Sequence, residues 1–542
     1  MDYFNERYEM DLLKNHIFRD PICDWFEIQN HRYGHYKKDM ESKYKQFISK
    51  EASNYKQKVI SYICDQLGLP IISPKLSVQQ TIDCIHNHEV LILNGSLYHK
   101  QYNVVVPCDI IIDYESFITI FPALENLPDM NGSDYILINL SYSVLHFRKN
   151  KTEVYNDELI FFKKCSLMCF YECFRDLVNV PVHSFLLGKE YYYQKQLLPK
   201  KTHIGHVLFT DEMNQTIHDA VNWIRQVTSK FDSMYVLPEP TNNELYPNMN
   251  YKESDWETEK KNLATLLREI TLIWNISYRE RCELLKKDIS SWDDPKLLSY
   301  LKESKKKNIQ ERMIHMNQQK EIIVYPRKSI SQEFREILEK KNNEYFFDVE
   351  SFLSFDEKQD LVDGHLITKE PVLGMLGIIQ NGIYKDFTIH SFTKTDEIQM
   401  IKEWSSHLLK NEGIIYLYHW GNAEKVYLEY IQKECPDLDL SRIKLINVLH
   451  YFRQEPILIQ GIFSFGLKQI GKVLYNHQLI NTTWTEYDNG LDSMIEFKEL
   501  CCNHTKHIPL KRISEISKII DYNRIDCQVL LEIVEFLRIR YS

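Results

Sequence analysis

The run Tyr345-Phe346-Phe347-Asp348-Val349-Glu350-Ser351 constrains this chain more than any other segment. Its aromatic and β-branched residues favour a strand that buries itself, yet it carries two carboxylates at i and i+2. In a strand those two side chains point to the same face. Two acids on one face repel and lose solvation unless a cation neutralises them, and a divalent metal does that best. In a central strand Asp348 and Glu350 therefore read as half of a metal site. On an edge strand they read as a solvated acidic face, and Asp-x-Glu alone does not separate the two.

The 542 residues allow about two to four domains, each with its own core. A formal charge of -10 argues against a chain that coats nucleic acid indiscriminately. It leaves room for a nuclease, whose acidic metal site sits beside local basic patches. Lys302, Lys305, Lys306 and Lys307 form one such patch, either a solvated helix face or a phosphate contact. The 12 cysteines are scattered, which fits a reducing compartment. Cys165, Cys169 and Cys173 share a helical face and read as buried small hydrophobes or, as the minority reading, as a metal or cluster site. Cys501-Cys502-Asn503-His504-Thr505-Lys506-His507 is too tightly spaced for a structural zinc site and has no distant partner pair. The N-terminus lacks a signal-peptide pattern, and no apolar run approaches the roughly 20 residues that span a bilayer. The expectation is a soluble intracellular protein, in cytoplasm or nucleus, with no membrane partner.

The pattern along the chain predicts an α/β multidomain protein. Residues 1–75 read as a helical N-terminal region. From 76 to 255 strands take over: Val90-Leu91-Ile92-Leu93, a hairpin turn at Asn94-Gly95, a second strand at Leu97-Tyr98, then Val104 to Ile112 and Tyr135 to Leu140. A long helix over 157–177 completes an α/β block with a mostly antiparallel sheet. Residues 256–340 read as a helical connector. Within it, Trp274 to Ile289 resembles a helix-hairpin-helix element, whose turn amides can hold a phosphate. Asn275 and Asp288 stand near where its glycines would fall, and a plain packing element is the other reading. Over 341–542, three antiparallel strands (the Asp348 strand, Val372 to Ile379, Gly382 to Phe387) precede a helix at 394–411 and a strand at Gly413 to Tyr418. That is the element order of an RNase H-like fold, a mixed sheet flanked by helices.

Two further pieces carry acids. In Tyr418-His419-Trp420-Gly421-Asn422-Ala423-Glu424, Glu424 falls in a first helical turn close to a strand end, where α/β edges build sites and where acids also stabilise the helix dipole. In Asp521-Tyr522-Asn523-Arg524-Ile525-Asp526, Tyr522 and Asp526 at i and i+4 share a helix face. Asp526 stands beside the apolar Ile525, Val529 and Leu530, so it is costly there unless paired or metal-bound.

Taken in order, Asp-x-Glu, a mid-domain acid and Tyr-x-x-x-Asp resemble the DEDD exonuclease superfamily (DnaQ-like, RNase H fold), in the subgroup whose last motif carries tyrosine. Asn447-Val448-Leu449, Phe452-Arg453 and Gly466-Leu467-Lys468-Gln469-Ile470-Gly471 narrow the resemblance to the YprB-like RNase H-like domain, over 341–542. The resemblance implies that Asp348, Glu350, Glu424 and Asp526 hold two divalent ions, Mg2+ or Mn2+, about 4 Å apart. Asp348 would bridge them, Glu350 and Asp526 would complete the site of the attacking water, and Glu424 would serve the second ion. Tyr522 would orient the water as a protonated phenol. Two departures stand out: Glu424 replaces the usual aspartate, and Asn447 lies where relatives often have aspartate.

Such domains are often fused behind a RecB-like PD-(D/E)xK nuclease domain, which residues 76–255 resemble. Asp109 matches that family's first metal-binding aspartate. Asn139-Leu140-Ser141 stands where an acid-x-Lys triplet is expected, which implies an inactive, degenerate domain that helps bind substrate. The function implied is a metal-dependent 3′→5′ nuclease acting on single-stranded ends of DNA or RNA. The lysine patch, Lys468 and Trp420 are its expected nucleic-acid contacts, with Trp420 and Phe352 either stacking on bases or packing in the core. The rivals are a nucleic-acid-binding protein that no longer cuts and a structural subunit of a replication, repair or transcription assembly.

Overall fold

A computed structural model of the chain describes residues 7–71, 74–124, 135–200, 202–319, 324–326, 331–352, 372–391, 393–484, 490–503 and 514–541. It divides into two compact units, Met1–Glu41 with Lys45–Leu267, and Ser42–Tyr44 with Arg268–Asp356 and Thr368–Ser542. The region that reads as a connector is split between them. The helix Glu257–Leu267 ends the first unit, whereas Ile276, Leu284, Met313, Phe334 and Ile337 lie in the same core as Phe452 and Leu530 of the second.

The first unit is built on a seven-stranded mixed sheet. Its strands are β1 (Tyr8–Glu9), β2 (Leu91–His99), β3 (Val104–Asp113), β4 (Tyr135–His146), β5 (Val182–Tyr193), β6 (Gln196–Leu197) and β7 (Gly205–His206). β3 pairs antiparallel with β2 and β4, and β4 pairs parallel with β5. The hairpin expected at Asn94-Gly95 does not form. β2 runs straight through both residues, keeping register from Leu91↔Ile112 to His99↔Val104, although Asn94 sits at φ 52. Pairing along the whole length of β3 outweighs the local turn preference of Asn-Gly. The helix Glu158–Arg175 covers the sheet and buries Cys165 and Cys169 as small apolar groups.

The second unit carries the strands β8 (Glu344–Phe352), β9 (Val372–Gln380), β10 (Ile383–Thr388), β11 (Ile415–His419) and β12 (Ile443–Asn447). Their order across the sheet is β10-β9-β8-β11-β12. β8 is therefore the central strand, antiparallel to β9 and parallel to β11. Alternation along β8 sorts its side chains between two layers. Tyr345 and Phe347 enter one core beside Trp404, while Phe346 enters the other with Tyr418, Tyr522 and Cys527. Asp348 and Glu350 share the Phe346 face, which the C-terminal helix Ser514–Tyr541 covers.

That helix is fastened to the start of β8 by charge. Arg538 Nη1 donates to Glu344 Oε2 at 3.0 Å, and the Tyr418 hydroxyl donates to Glu344 Oε1 at 2.9 Å. Removing one partner of a largely buried pair leaves the other charge uncompensated. Arg538→Ala is expected to lower the stability of this unit by about 3 kcal/mol in denaturant titrations. A loss below about 1 kcal/mol would show the pair to be solvent-screened.

Candidate metal centre

Asp348, Glu350 and Asp526 converge. Among the described residues they are the group of three potential ligands whose carboxylate oxygens all lie within 4.8 Å of one another. β8 supplies two of them by strand alternation, and the C-terminal helix supplies the third from the layer above. The site lies beyond the last β8–β11 pair, Phe346↔Tyr418, where pairing of the two parallel strands stops while β8 continues along β9.

Three carboxylates so close, and largely out of water, resist ionising together. Burial pushes Glu350 up to about 8, helped by the charge of Asp526. Burial likewise pushes Asp526 up to about 6, restrained by the ammonium of Lys468 and hydrogen bonds from Trp484 and Tyr522. Asp348 is held well above the ordinary aspartate range by burial, then by Asp526, Glu350 and Glu424. The Trp484 bond runs from Nε1 to Asp526 Oδ1 at 2.9 Å. Tyr522 is buried with its hydroxyl toward Asp526, and burial with the surrounding acids keeps it protonated far above neutral pH. Lys468 Nζ lies 4.7 Å from the Tyr522 ring centroid. A compact set of hard carboxylate oxygens carrying excess negative charge could hold a metal ion.

Glu424 stands apart from the three. It occupies the first turn of the helix Ala423–Glu434, buried, with Oε2 3.2 Å from His419 Nδ1. Its charge still reaches Asp348. Asn447 is spent on the loop beneath: Nδ2 donates to the Gly421 carbonyl, and Oδ1 accepts from the Gly421 amide and from His450 N.

The expected nucleic-acid contacts divide. Lys468 is at the centre. Trp420 packs inward, its indole N–H donating to the Phe465 carbonyl at 3.1 Å and its ring tilted on Phe452. The lysine patch is engaged with its surroundings: Lys302 with Glu280, Lys306 with Asn275, and Lys307 with Glu303 and Glu311. The side chains of Lys305 and Phe352, and most of the Cys501 to His507 run, lie outside the described residues. At the helix-hairpin-helix-like turn, Asn275 and Asp288 do adopt φ 60 and φ 57. A capping box between Ser277 and Glu280 nevertheless occupies the helix N-terminus that a phosphate would need.

In the first unit, Lys56 of the helix Lys43–Leu67 forms an ion pair with Asp109. Asp109 Oδ2 also accepts the Leu140 amide at 2.7 Å, and Asn139 Oδ1 accepts the Asp109 amide at 3.1 Å. The aspartate is thus neutralised by a lysine from a distant helix. No sequence spacing marks Lys56 or Trp484, the latter 42 residues from Asp526, whereas Asn523 stands next to Tyr522.

Comparison with known proteins finds no family model that matches the chain and no similar curated protein or solved structure. Among the described residues no helix is long and apolar enough to cross a membrane.

The acids make stability depend on pH in a defined direction. Glu350 keeps its proton to about 8 in the folded protein against an ordinary 4.5, and Asp526 to about 6 against 3.8. Between those limits the unfolded chain has released protons that the fold retains, so metal-free stability falls as pH rises. A divalent ion reverses this by displacing the protons. Mn2+ should therefore raise the melting temperature more at about pH 8 than at about pH 5. Asp348→Asn should raise metal-free stability at the higher pH and abolish the response to Mn2+. A wild-type Mn2+ response in that variant would exclude this cluster as the binding site.

Proposed function

We propose that the second unit is a divalent-metal-dependent nuclease that hydrolyses phosphodiester bonds of DNA or RNA, working 3′→5′ from single-stranded ends. The observation that carries this reading is the convergence of Asp348, Glu350 and Asp526 beside Tyr522 on the central strand. The strand order β10-β9-β8-β11-β12, with β8 central, is what an RNase H-like fold requires. In that reading Asp348, Glu350 and Asp526 would hold Mg2+ or Mn2+. Bound there, the ion would supply an activated water and stabilise the leaving oxygen. Glu424, buried and hydrogen-bonded to His419, is the carboxylate that would serve a second ion. Tyr522, kept as a phenol, orients the attacking water through its hydroxyl and does not remove its proton. The Lys468 ammonium, close enough to favour the charged forms of Glu350 and Asp526, would add positive charge for the scissile phosphate.

The first unit is read as a degenerate restriction-endonuclease-like, RecB-like domain that docks nucleic acid without cutting it, because Lys56 holds the place of a cation at Asp109. One observation favours a second reading, a nucleic-acid-binding protein or assembly subunit that retains the fold but does not cut. Glu424 is drawn toward His419 and is not one of the three converging carboxylates.

End-labelled DNA and RNA incubated with Mg2+ or Mn2+ test both. Wild type and Asp109→Ala should shorten the label from the 3′ end at equal rates, and Asp348→Ala should fall to the metal-free background. Equal degradation by wild type and Asp348→Ala would show that this centre does no cutting. Mn2+ binding without cleavage by the wild type would favour the second reading.

A further inference from the structure

Asn523 lies at the heart of the acidic cluster, and none of the roles above uses it. It is fully buried, 0% exposed, between Tyr522 and Asp526 on the C-terminal helix. A buried amide needs partners for both its NH2 and its oxygen. Nδ2 donates to Asp348 Oδ2 at 2.8 Å, and the Asn523 side chain also hydrogen-bonds the Glu350 carboxylate. On its other side, Oδ1 accepts the Tyr384 hydroxyl at 2.9 Å. Tyr384 reaches in from β10, two strands away from β8. Room for the amide exists because the residue opposite Asp348 on β9 is Gly377. A Cβ at Gly377 would lie 1.6 Å from Asn523 Oδ1. Elements from the helix, β9 and β10 are thus all shaped around one side chain.

The chemistry of an amide explains the choice. Two carboxylates two residues apart on one strand repel, and left alone they would rotate away from each other. A lysine between them would hold both but cancel the charge that attracts a metal, as Lys56 does at Asp109. An amide brings two N–H donors and no net charge.

We propose that Asn523 is a positioning residue that clamps the Asp348 and Glu350 carboxylates toward a divalent ion before it binds, with Gly377 as its seat and Tyr384 as its brace. This rests on the metal-centre reading above. Its loss weakens the ion's binding rather than removing a ligand, since residues that orient metal ligands set affinity through preorganisation.

The test is calorimetric titration of the full chain with Mn2+, with folding checked by circular dichroism. Asn523→Leu, which keeps the γ-branched shape without the amide, should stay folded and bind Mn2+ about tenfold or more weakly, with cleavage restored at saturating Mn2+. Tyr384→Phe, which removes only the brace, should weaken binding by about fivefold. A folded Asn523→Leu with wild-type Mn2+ affinity overturns the proposal. If that variant does not fold, Tyr384→Phe decides, and wild-type affinity there overturns it as well. Asp348→Ala separates the two levels. Should it bind Mn2+ as the wild type does, the metal-centre reading itself fails, whereas loss of binding in Asp348→Ala alone refutes only the clamp.

Discussion

The second unit depends on how it tolerates three carboxylates inside a protein core. Asp348, Glu350 and Asp526 lie against the face of β8 that the C-terminal helix covers, where water cannot solvate them freely. Burial raises their proton affinities together, with repulsion adding to it at Asp348 and Glu350, and the surrounding groups answer that strain. Trp484 donates to Asp526, Lys468 places an ammonium near Tyr522 and Asp526, and Asn523 donates to the Asp348–Glu350 pair. These partners lessen the charge problem without abolishing it. Such residual strain is what a metal centre needs, because a fully neutralised cluster has no affinity left for an ion.

The C-terminal helix is the element on which this arrangement turns. It brings Asp526 to the acids from its middle and is held near its C-terminus by Arg538 on Glu344. Close approach to the sheet requires the missing side chain at Gly377, and packing against the helix Leu467–Asn476 requires another absence. A Cβ at Gly471 would come within 2.8 Å of Val529. Backbone-level fits of this kind place side chains more rigidly than surface contacts do, which is the condition for holding an ion among weakly basic oxygens.

The first unit shows the opposite solution to a similar problem. Asp109 lies within β3, beside Asn139, but a lysine and a backbone amide each engage one of its carboxylate oxygens. An acid already paired with an ammonium has no electrostatic reason to recruit a metal. The two units therefore differ less in carrying acids than in what is left to balance them.

Much of the candidate site was legible beforehand, and the reason is local geometry. Period-two alternation puts Asp348 and Glu350 on one face wherever the strand lies, and Tyr522 and Asp526 share a helix face by the same kind of rule. The strand and helix pattern of 341–542 likewise follows from hydrophobic periodicity. At Asn94-Gly95 the local turn preference loses because pairing with β3 decides that segment, and pairing is not local. That β8 is central, that Asn523 meets Asp348 across 175 residues of chain, that Glu424 leans on His419 and that Lys56 closes on Asp109 were decided only in the tertiary structure. Periodicity fixes the direction of a side chain relative to its own backbone, whereas what it meets is set by how buried layers pack together.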